Sequence, residues 1–284
     1  MSAGEVRAFL ERHGLRANRD LGQNFLCDES LAAALVEGAG VEPGDRIVEI
    51  GTGLGILTRL LAARAERVLT IEVDAGLVRA LGAEALLPEN VTLVHADALR
   101  LDLGELVSEL DAPVRLVGNL PYSISGPLLR RLLDLRADLV DWSVMIQREV
   151  AERLLASPGS RDYSSLTVLH GLTVEVERVR SIAPSCFHPR PQVRSTFLRI
   201  RPRSTALLRP GELPWVERVV RAAFSQRRKT LVNSLQGGAL EPVPESELLH
   251  DALEALGVDL RARAESLPPE ILLELSRRLA GEGT

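Results

Sequence analysis

The chain has 284 residues, enough for a full α/β core and a second, smaller unit, and carries 39 acidic against 34 basic residues for a formal charge of −5. No run approaches the ~18 apolar residues of a bilayer-crossing helix, the start MSAGEVRAFLERHG is charged rather than signal-like, and the two cysteines, Cys27 and Cys186, lie in unrelated segments. These features speak against a membrane protein, a disulfide framework and a cysteine metal site, and lead to the expectation of a soluble protein of the reduced cytoplasm, while a monomer is expected because nothing in the sequence marks an apolar interface.

In chain order, RIVEIG (46–51) is the first short apolar run that reads as a buried strand, and it passes directly into GTGLG (51–55) and the helical pattern GILTRLLAARA. Gly51 and Gly53 let the backbone turn sharply and approach a ligand, and the helix start behind them offers unpaired N–H groups. The second strand, RVLTIEVD (67–74), carries Glu72 at its end, placed to accept hydrogen bonds from ribose hydroxyls. Taken alone, these features suit either NAD or S-adenosylmethionine. The spacing favours the latter, because Ile56 stands where a dinucleotide loop has its third glycine. Asp97, closing the third strand VTLVHAD (91–97), adds an acceptor for an exocyclic adenine amine. Glu49, inside the first strand, either steadies the glycine loop or is a satisfied buried carboxyl.

The fourth strand, VRLVGN (114–119), ends on Asn119-Leu120-Pro121-Tyr122. An amide, a proline and a phenol at a strand end answer the demands of methylating an amino group on adenine, whose N6 lone pair is delocalised into the ring. The Asn119 side-chain carbonyl and the Leu120 main-chain carbonyl can accept both N–H bonds and hold the nitrogen in line with a methyl donor. Pro121 confines the preceding residue to extended conformations and so directs that carbonyl, and Tyr122 offers a face on which an unstacked base can lie. A strong base is not needed, since the methylated nitrogen is acidic.

Beyond the helix GPLLRRLLDLRA and the strand LVDWSVMIQ (139–147), the runs SLTVLHGLTVEVERVRSI (165–182) and VRSTFLRIRP (193–202) alternate like strands and are expected to pair antiparallel at a sheet edge. From about residue 204 only helical patterns follow, in WVERVVRAAFSQRRKTLVNSLQ, ESELLHDALEALG and PPEILLELSRRLAGEG. The predicted organisation is a Rossmann-like α/β domain over 1–203, with a mostly parallel seven-stranded sheet, and a small all-α domain over 204–284. Between Arg178 and Lys229 thirteen basic residues meet two acids, so the remainder, with 21 basic and 37 acidic residues, stands at −16. On a continuous helix Arg218, Arg221, Ser225 and Arg228 would share one face, with Arg227 and Lys229 on its flanks, and Val216, Val220, Phe224 and Leu231 would line another. Arg221, Arg227, Arg228 and Lys229 are the expected contacts to nucleic-acid phosphates. His13, His95, His170, His188 and His250 show no ligand spacing, and no metal is expected.

On LGQNFL (21–26), VEIGTGLGILT (48–58), IEVD (71–74), HADAL (95–99), NLPYSIS (119–125), SCFHPRPQVRST (185–196), FSQRRKTLVNSL (224–235) and RAESL (263–267), nearly the whole chain resembles the KsgA/RsmA-type small-subunit rRNA adenine N6,N6-dimethyltransferases. The resemblance implies that Gln23, Asn24 and Leu26 close over S-adenosylmethionine, that Gly51 and Gly53 cradle it, that Glu72 holds its ribose and Asp97 and Ala98 its adenine, and that Asn119 touches both cofactor and target amine. It further implies that Phe187 sandwiches the target adenine against Tyr122. The substrate it implies is a pair of adjacent adenosines in the 3′-terminal hairpin of 16S rRNA in the immature small subunit. The family loop commonly has proline at Thr52 and asparagine at Ser123. Macrolide-resistance dimethyltransferases share the catalytic half, but FSQRRKTLVNSL favours the small-subunit enzymes. The other readings are a DNA adenine or protein glutamine methyltransferase, or chiefly an RNA-binding ribosome-assembly factor.

Overall fold

A computed structural model describes residues 1–110 and 113–281. Its contacts divide the chain into two units, Met1–Ala151 with Val176–Pro202, and Glu152–Glu175 with Arg203–Thr284.

In the first unit, helix α1 (Ala3–Arg12) starts on a capping box in which Ser2 and Glu5 satisfy each other's backbone N–H groups. The two-residue strand β1 (Phe25–Leu26) precedes α2 (Glu29–Gly38). Strands and helices then alternate: β2 (Arg46–Ile50), α3 (Ile56–Ala62), β3 (Arg67–Glu72), α4 (Ala75–Ala83), β4 (Val91–His95), α5 (Leu103–Ser108), β5 (Val114–Asn119), α6 (Ser125–Asp134) and β6 (Leu139–Gln147). Asp28, Asp74 and Asp102 cap α2, α4 and α5 by accepting first-turn N–H bonds, so three helix starts are written in the sequence as aspartates. β2 pairs parallel with β3 and β5, β3 with β4, and β5 with β6. Ile47, Val48, Val68, Ile71, Leu116 and Val117 are buried along these strands, as expected for a parallel sheet covered on both faces.

The chain continues through α7 (Arg148–Leu154), α8 (Ser165–Thr173), β7 (Val174–Ile182), β8 (Phe187–His188) and β9 (Ser195–Pro202). The full sheet has the order β4-β3-β2-β5-β6-β9-β7, with β9 antiparallel to β6. The predicted seven-stranded, mostly parallel sheet is therefore present. The first half of 165–182, read as strand, is helix α8. Its residues Thr167, Val168, Leu169, His170, Leu172 and Thr173 are all buried, and a helix buried on several sides shows no single apolar face to betray it. The link from β7 to β9 is longer than a turn and contains β8, which pairs antiparallel with β1 through Leu26 opposite Phe187 and Phe25 opposite His188. That ribbon also brings together the two cysteines that sequence placed apart: the Cys27 N–H donates to the Cys186 carbonyl at 2.8 Å, and both thiols are free.

The N-terminal ends of β5 and β6 carry a buried ion cluster. Arg115 meets Asp45 at 2.8 Å and Asp141 at 2.5 Å, and Arg199 from β9 meets Asp141 at 2.6 Å. The opposite, C-terminal ends of β2 to β5 are left for a ligand.

The second unit holds α8, α9 (Leu213–Ala223), α10 (Leu231–Leu235), α11 (Ser246–Ala255) and α12 (Pro269–Leu279). Glu152–Glu175 belongs here rather than with the sheet because the Tyr163 hydroxyl donates to the Leu267 carbonyl at 2.8 Å and its ring meets Phe224 edge-on at 5.8 Å. Val216, Val219 and Val220 bury one face of α9, while the Trp215 indole N–H donates to the Ser276 carbonyl and Arg277 pairs with Glu212, joining α9 to α12. The last segment of the helical pattern, residues 282–284, lies outside the described residues.

Candidate active site

A cleft of about 220 Å³ opens at the C-terminal ends of β2, β3, β4 and β5. Its floor is the loop Gly51–Leu54. Gly51 has φ +88°, and a Cβ there would stand 3.2 Å from the Asn119 carbonyl, so any side chain would both strain the backbone and push apart the two loops that face each other here. The Gly53 N–H donates to Glu72 Oε2 at 2.9 Å, and the Asp74 N–H donates to Glu72 Oε1 at the same distance. Glu72 thus ties the glycine loop to the end of β3 while lining the cleft. Burial pushes its carboxyl up, and the two backbone donors pull in the opposite direction.

Beneath the loop runs a buried hydroxyl chain. Thr52 Oγ1 bonds Thr70 Oγ1 at 2.7 Å, and the hydroxyls of Thr70 and Thr58 both donate to Glu49 Oε2 at 2.6 Å. Burial pushes Glu49 up to about 7, and its Oε1 has no partner among the described residues. Of the two readings of Glu49, the first applies, since through the threonines it steadies the loop, and the second applies only in part, since the carboxyl is buried but only Oε2 is satisfied. Thr52 supplies the link.

The third strand end places Asp97 and Ala98 on the cleft wall. Asp97 Oδ1 accepts the Leu99 N–H at 2.9 Å, and the Arg131 guanidinium on α6 clamps the carbonyls of Ala98 and Leu101 at 2.8 Å each. Arg131 had no signal in the sequence beyond its place in a helical pattern.

The fourth strand end carries Asn119 to Tyr122, all four lining the cleft. The Leu120 N–H donates to the Met145 carbonyl on β6 at 3.0 Å, which fixes the peptide ahead of Pro121. The Pro121 carbonyl accepts the Ile124 N–H and the Ser125 hydroxyl, both at 3.1 Å, and the turn runs straight into α6. The Asn119 side-chain NH₂ donates to the Asn24 carbonyl at 3.2 Å, and the Tyr122 hydroxyl bonds Ser195 Oγ at 3.0 Å. Burial raises the Tyr122 phenol above its ordinary value, so it keeps its proton at neutral pH.

Over the cleft lies the strap Asn18–Asn24. The Gln23 amide is spent on the strap itself, donating to Asp74 Oδ2 at 2.8 Å and accepting the Asn18 N–H at 2.8 Å. Gln23, Asn24 and Leu26 all line the cleft, with Leu26 buried at its edge.

Two groups of predicted residues are not where sequence placed them. Phe187 is 3% exposed, packed with Leu26, Met145 and Phe197, and is not among the residues lining the cleft. Its position opposite Leu26 on the β1–β8 ribbon turns its ring into the core, so in this conformation it is no open stacking platform facing Tyr122. In the second unit, α9 ends at Ala223 with Phe224 as its cap, because Ser225 and Lys229 turn the chain back, through bonds to the carbonyls of Ala222 and Gln226. Arg218, Arg221, Ser225 and Arg228 therefore do not form one helix face. Arg221 pairs with Glu217 at 2.7 Å, Arg218 lies over the Trp215 ring, and Arg227 binds Glu265 and the Arg161 carbonyl. Arg228 and Lys229 are exposed, and neither side chain has a partner among the described residues.

A family model for ribosomal RNA adenine dimethylases matches residues 14–280. The chain is 38% identical to the ribosomal RNA small subunit methyltransferase A of Clostridium botulinum (strain Loch Maree / Type A3) over 271 residues, 95% of this chain and 97% of that protein. It is 40% identical to the protein of the same name from Myxococcus xanthus (strain DK1622), covering 96% and 94%. Among solved structures it is similar to a dimethyladenosine transferase from Plasmodium falciparum, with a TM-score of 0.77 at 26% identity over 91% of this chain and 98% of that one. It is similar also to the 23S rRNA methyltransferase ErmE, with a TM-score of 0.67 at 29% identity, covering 90% and 100%.

Proposed function

Since the chain belongs to the ribosomal RNA adenine dimethylase family and is an rRNA adenine dimethyltransferase, we propose that its methyl donor is S-adenosylmethionine, bound in the cleft under the strap. Its target is N6 of two adjacent adenosines in the 3′-terminal hairpin of small-subunit rRNA, and its work belongs to maturation of that subunit in the cytoplasm. The small-subunit assignment rests on the relatives' names and on their coverage of almost the whole chain.

The observation that carries the chemistry is the orientation of Asn119. With its NH₂ given to the Asn24 carbonyl, the amide presents Oδ1 as the free acceptor at the end of β5. That oxygen takes one N–H of the target amine. The Leu120 carbonyl, directed by Pro121, takes the other, and Tyr122 supports the base plane. Accepting both protons opposes delocalisation of the N6 lone pair into the ring and aims it at the donor.

The cleft fits the donor by its own chemistry. The glycine loop admits a ligand against bare backbone, Glu72 offers carboxylate oxygens at the position that suits ribose hydroxyls, and Asp97 with Ala98 forms a polar and apolar wall for an adenine. S-adenosylmethionine supplies there a methyl group made electrophilic by its sulfonium. Gln23 holds the strap closed over it and Leu26 seals the apolar edge, excluding water. Of the basic residues expected to meet phosphate, Arg228 and Lys229 are free to do so, and Arg221 and Arg227 join them by exchanging surface ion pairs.

Mass spectrometry of small-subunit rRNA after incubation of free RNA and of immature particles with the protein and S-adenosylmethionine tests this reading. Two adenosines near the 3′ end should each gain two methyl groups. Transfer to large-subunit RNA instead, or to DNA, would overturn it.

A further inference from the structure

We propose that Ser195 is a positioning residue for methyl transfer, holding the Tyr122 ring where the target base must lie. This inference rests on the reading of Tyr122 given above. Ser195 is 1% exposed and opens β9 opposite Gln147 of β6. It does not line the cleft, yet its hydroxyl bonds the Tyr122 hydroxyl at 3.0 Å, while Tyr122 does line the cleft beside Asn119. A buried hydroxyl without a partner costs stability, so Ser195 at this site is explained by the phenol it meets.

The geometry makes the contact a matter of aim. A tyrosine ring swings about its Cα–Cβ bond, and its hydroxyl lies at the far end of that lever. Fixing the hydroxyl fixes the direction of the ring axis, and packing then decides the plane. The near end is fixed as well, through the Leu120 N–H on the Met145 carbonyl of β6. Both anchors of the Asn119–Tyr122 loop thus sit on the antiparallel pair β6–β9, two residues apart along β6. The distance between the Asn119 acceptor and the stacking face is thereby set by one ladder.

The test compares full-length Ser195→Ala, Ser195→Thr, Tyr122→Phe, Tyr122→Ala and the Ser195→Ala/Tyr122→Phe double variant with small-subunit substrate. Ser195→Ala should lower kcat roughly 3- to 10-fold, the worth of one net hydrogen bond, with substrate KM and S-adenosylmethionine affinity by calorimetry unchanged. Tyr122→Phe, which removes the same bond from its other end, should match it. The double variant should be no slower than either single one, and Ser195→Thr, which restores a hydroxyl, should recover most of the rate. A Ser195→Ala enzyme with lower melting temperature but normal kcat per folded molecule would overturn the inference, as would a parallel loss of donor affinity. Tyr122→Ala separates the two levels. If it keeps normal turnover, the role of Tyr122 itself fails; if it is inactive while Ser195→Ala is normal, only the role of Ser195 fails.

Discussion

The side-chain NH₂ of Asn119, at the end of β5, donates to the main-chain carbonyl of Asn24 in the strap, 95 residues earlier in the chain. The contact sorts the two ends of an amide that would otherwise present donor and acceptor to the cleft indifferently. Asn119→Ala removes the acceptor, whereas Asn119→Asp keeps acceptor oxygens but loses the NH₂ donor and sets a carboxylate against the Asn24 carbonyl. Asn119→Ala should lower single-turnover methyl transfer by about 10²–10³, the usual cost of deleting one preorganised transition-state contact, with melting temperature near that of the parent, and Asn119→Asp should also be slower because its carboxylate is no longer held by the strap. Turnover within a few-fold of normal in the alanine variant would sink the in-line arrangement.

What was legible in the sequence follows from where the information lies. The strands β2 to β6, the glycine loop and the Asn-Leu-Pro-Tyr turn are local patterns whose meaning does not depend on distant partners. Helix α8 was misread because its β-branched residues favour a strand locally and only packing in the helical unit overrides them. Phe187, Ser195 and the Asn24 carbonyl take their places from pairings across more than 70 residues, β1 with β8 and the strap with β5, and no window along the chain contains both partners. The basic run was legible as charge. The turn at Phe224 that divides it, and the ion pairs that occupy half of it, were not.

Glu72 has two roles on one carboxyl, bracing Gly53 and facing the cleft. Glu72→Ala should weaken S-adenosylmethionine binding by about 1.5–3 kcal/mol, tenfold or more, through loss of charge-assisted hydrogen bonds. Calorimetry reads this directly, and unchanged affinity would remove Glu72 from the donor site.

Glu49 ties stability to pH. Its folded value, raised by burial to about 7 from 4.5, lies above that of the unfolded chain, so between these values the folded state holds a proton that the unfolded state has released. Stability is then greatest below pH 4.5 as far as this group is concerned, falls as pH rises through the window, and levels off above 7, a total of about 3 kcal/mol. Glu49→Gln should abolish that component. The difference in urea-unfolding free energy between parent and variant, followed from pH 5 to pH 8, should change with this sign; a pH-independent difference would show that Glu49 titrates normally.

Phe187 contributes to the core around Leu26, Met145 and Phe197. Phe187→Ala should cost about 3–5 kcal/mol of folding stability and lower the melting temperature accordingly. An unchanged melting temperature with lost turnover would instead place the ring in the base pocket during reaction.

Arg228 and Lys229 are the unpaired cations of the turn between α9 and α10. Replacing both with glutamine should weaken substrate binding and reduce the salt dependence of log K by roughly two units, one per phosphate contact, at unaltered donor affinity. An identical salt slope would move the RNA surface elsewhere.

The strap has a kinetic meaning beyond shelter. Its carbonyl at Asn24 orients the reactive amide, and its Gln23 is latched to Asp74 at the start of α4. A strap displaced to admit a nucleoside-sized donor would give up both bonds and leave Asn119 free to turn. On the proposed reaction two adenosines take four methyl groups, each from a fresh donor. Occupancy of the cleft and competence for chemistry would then be a single event, repeated for each methyl group.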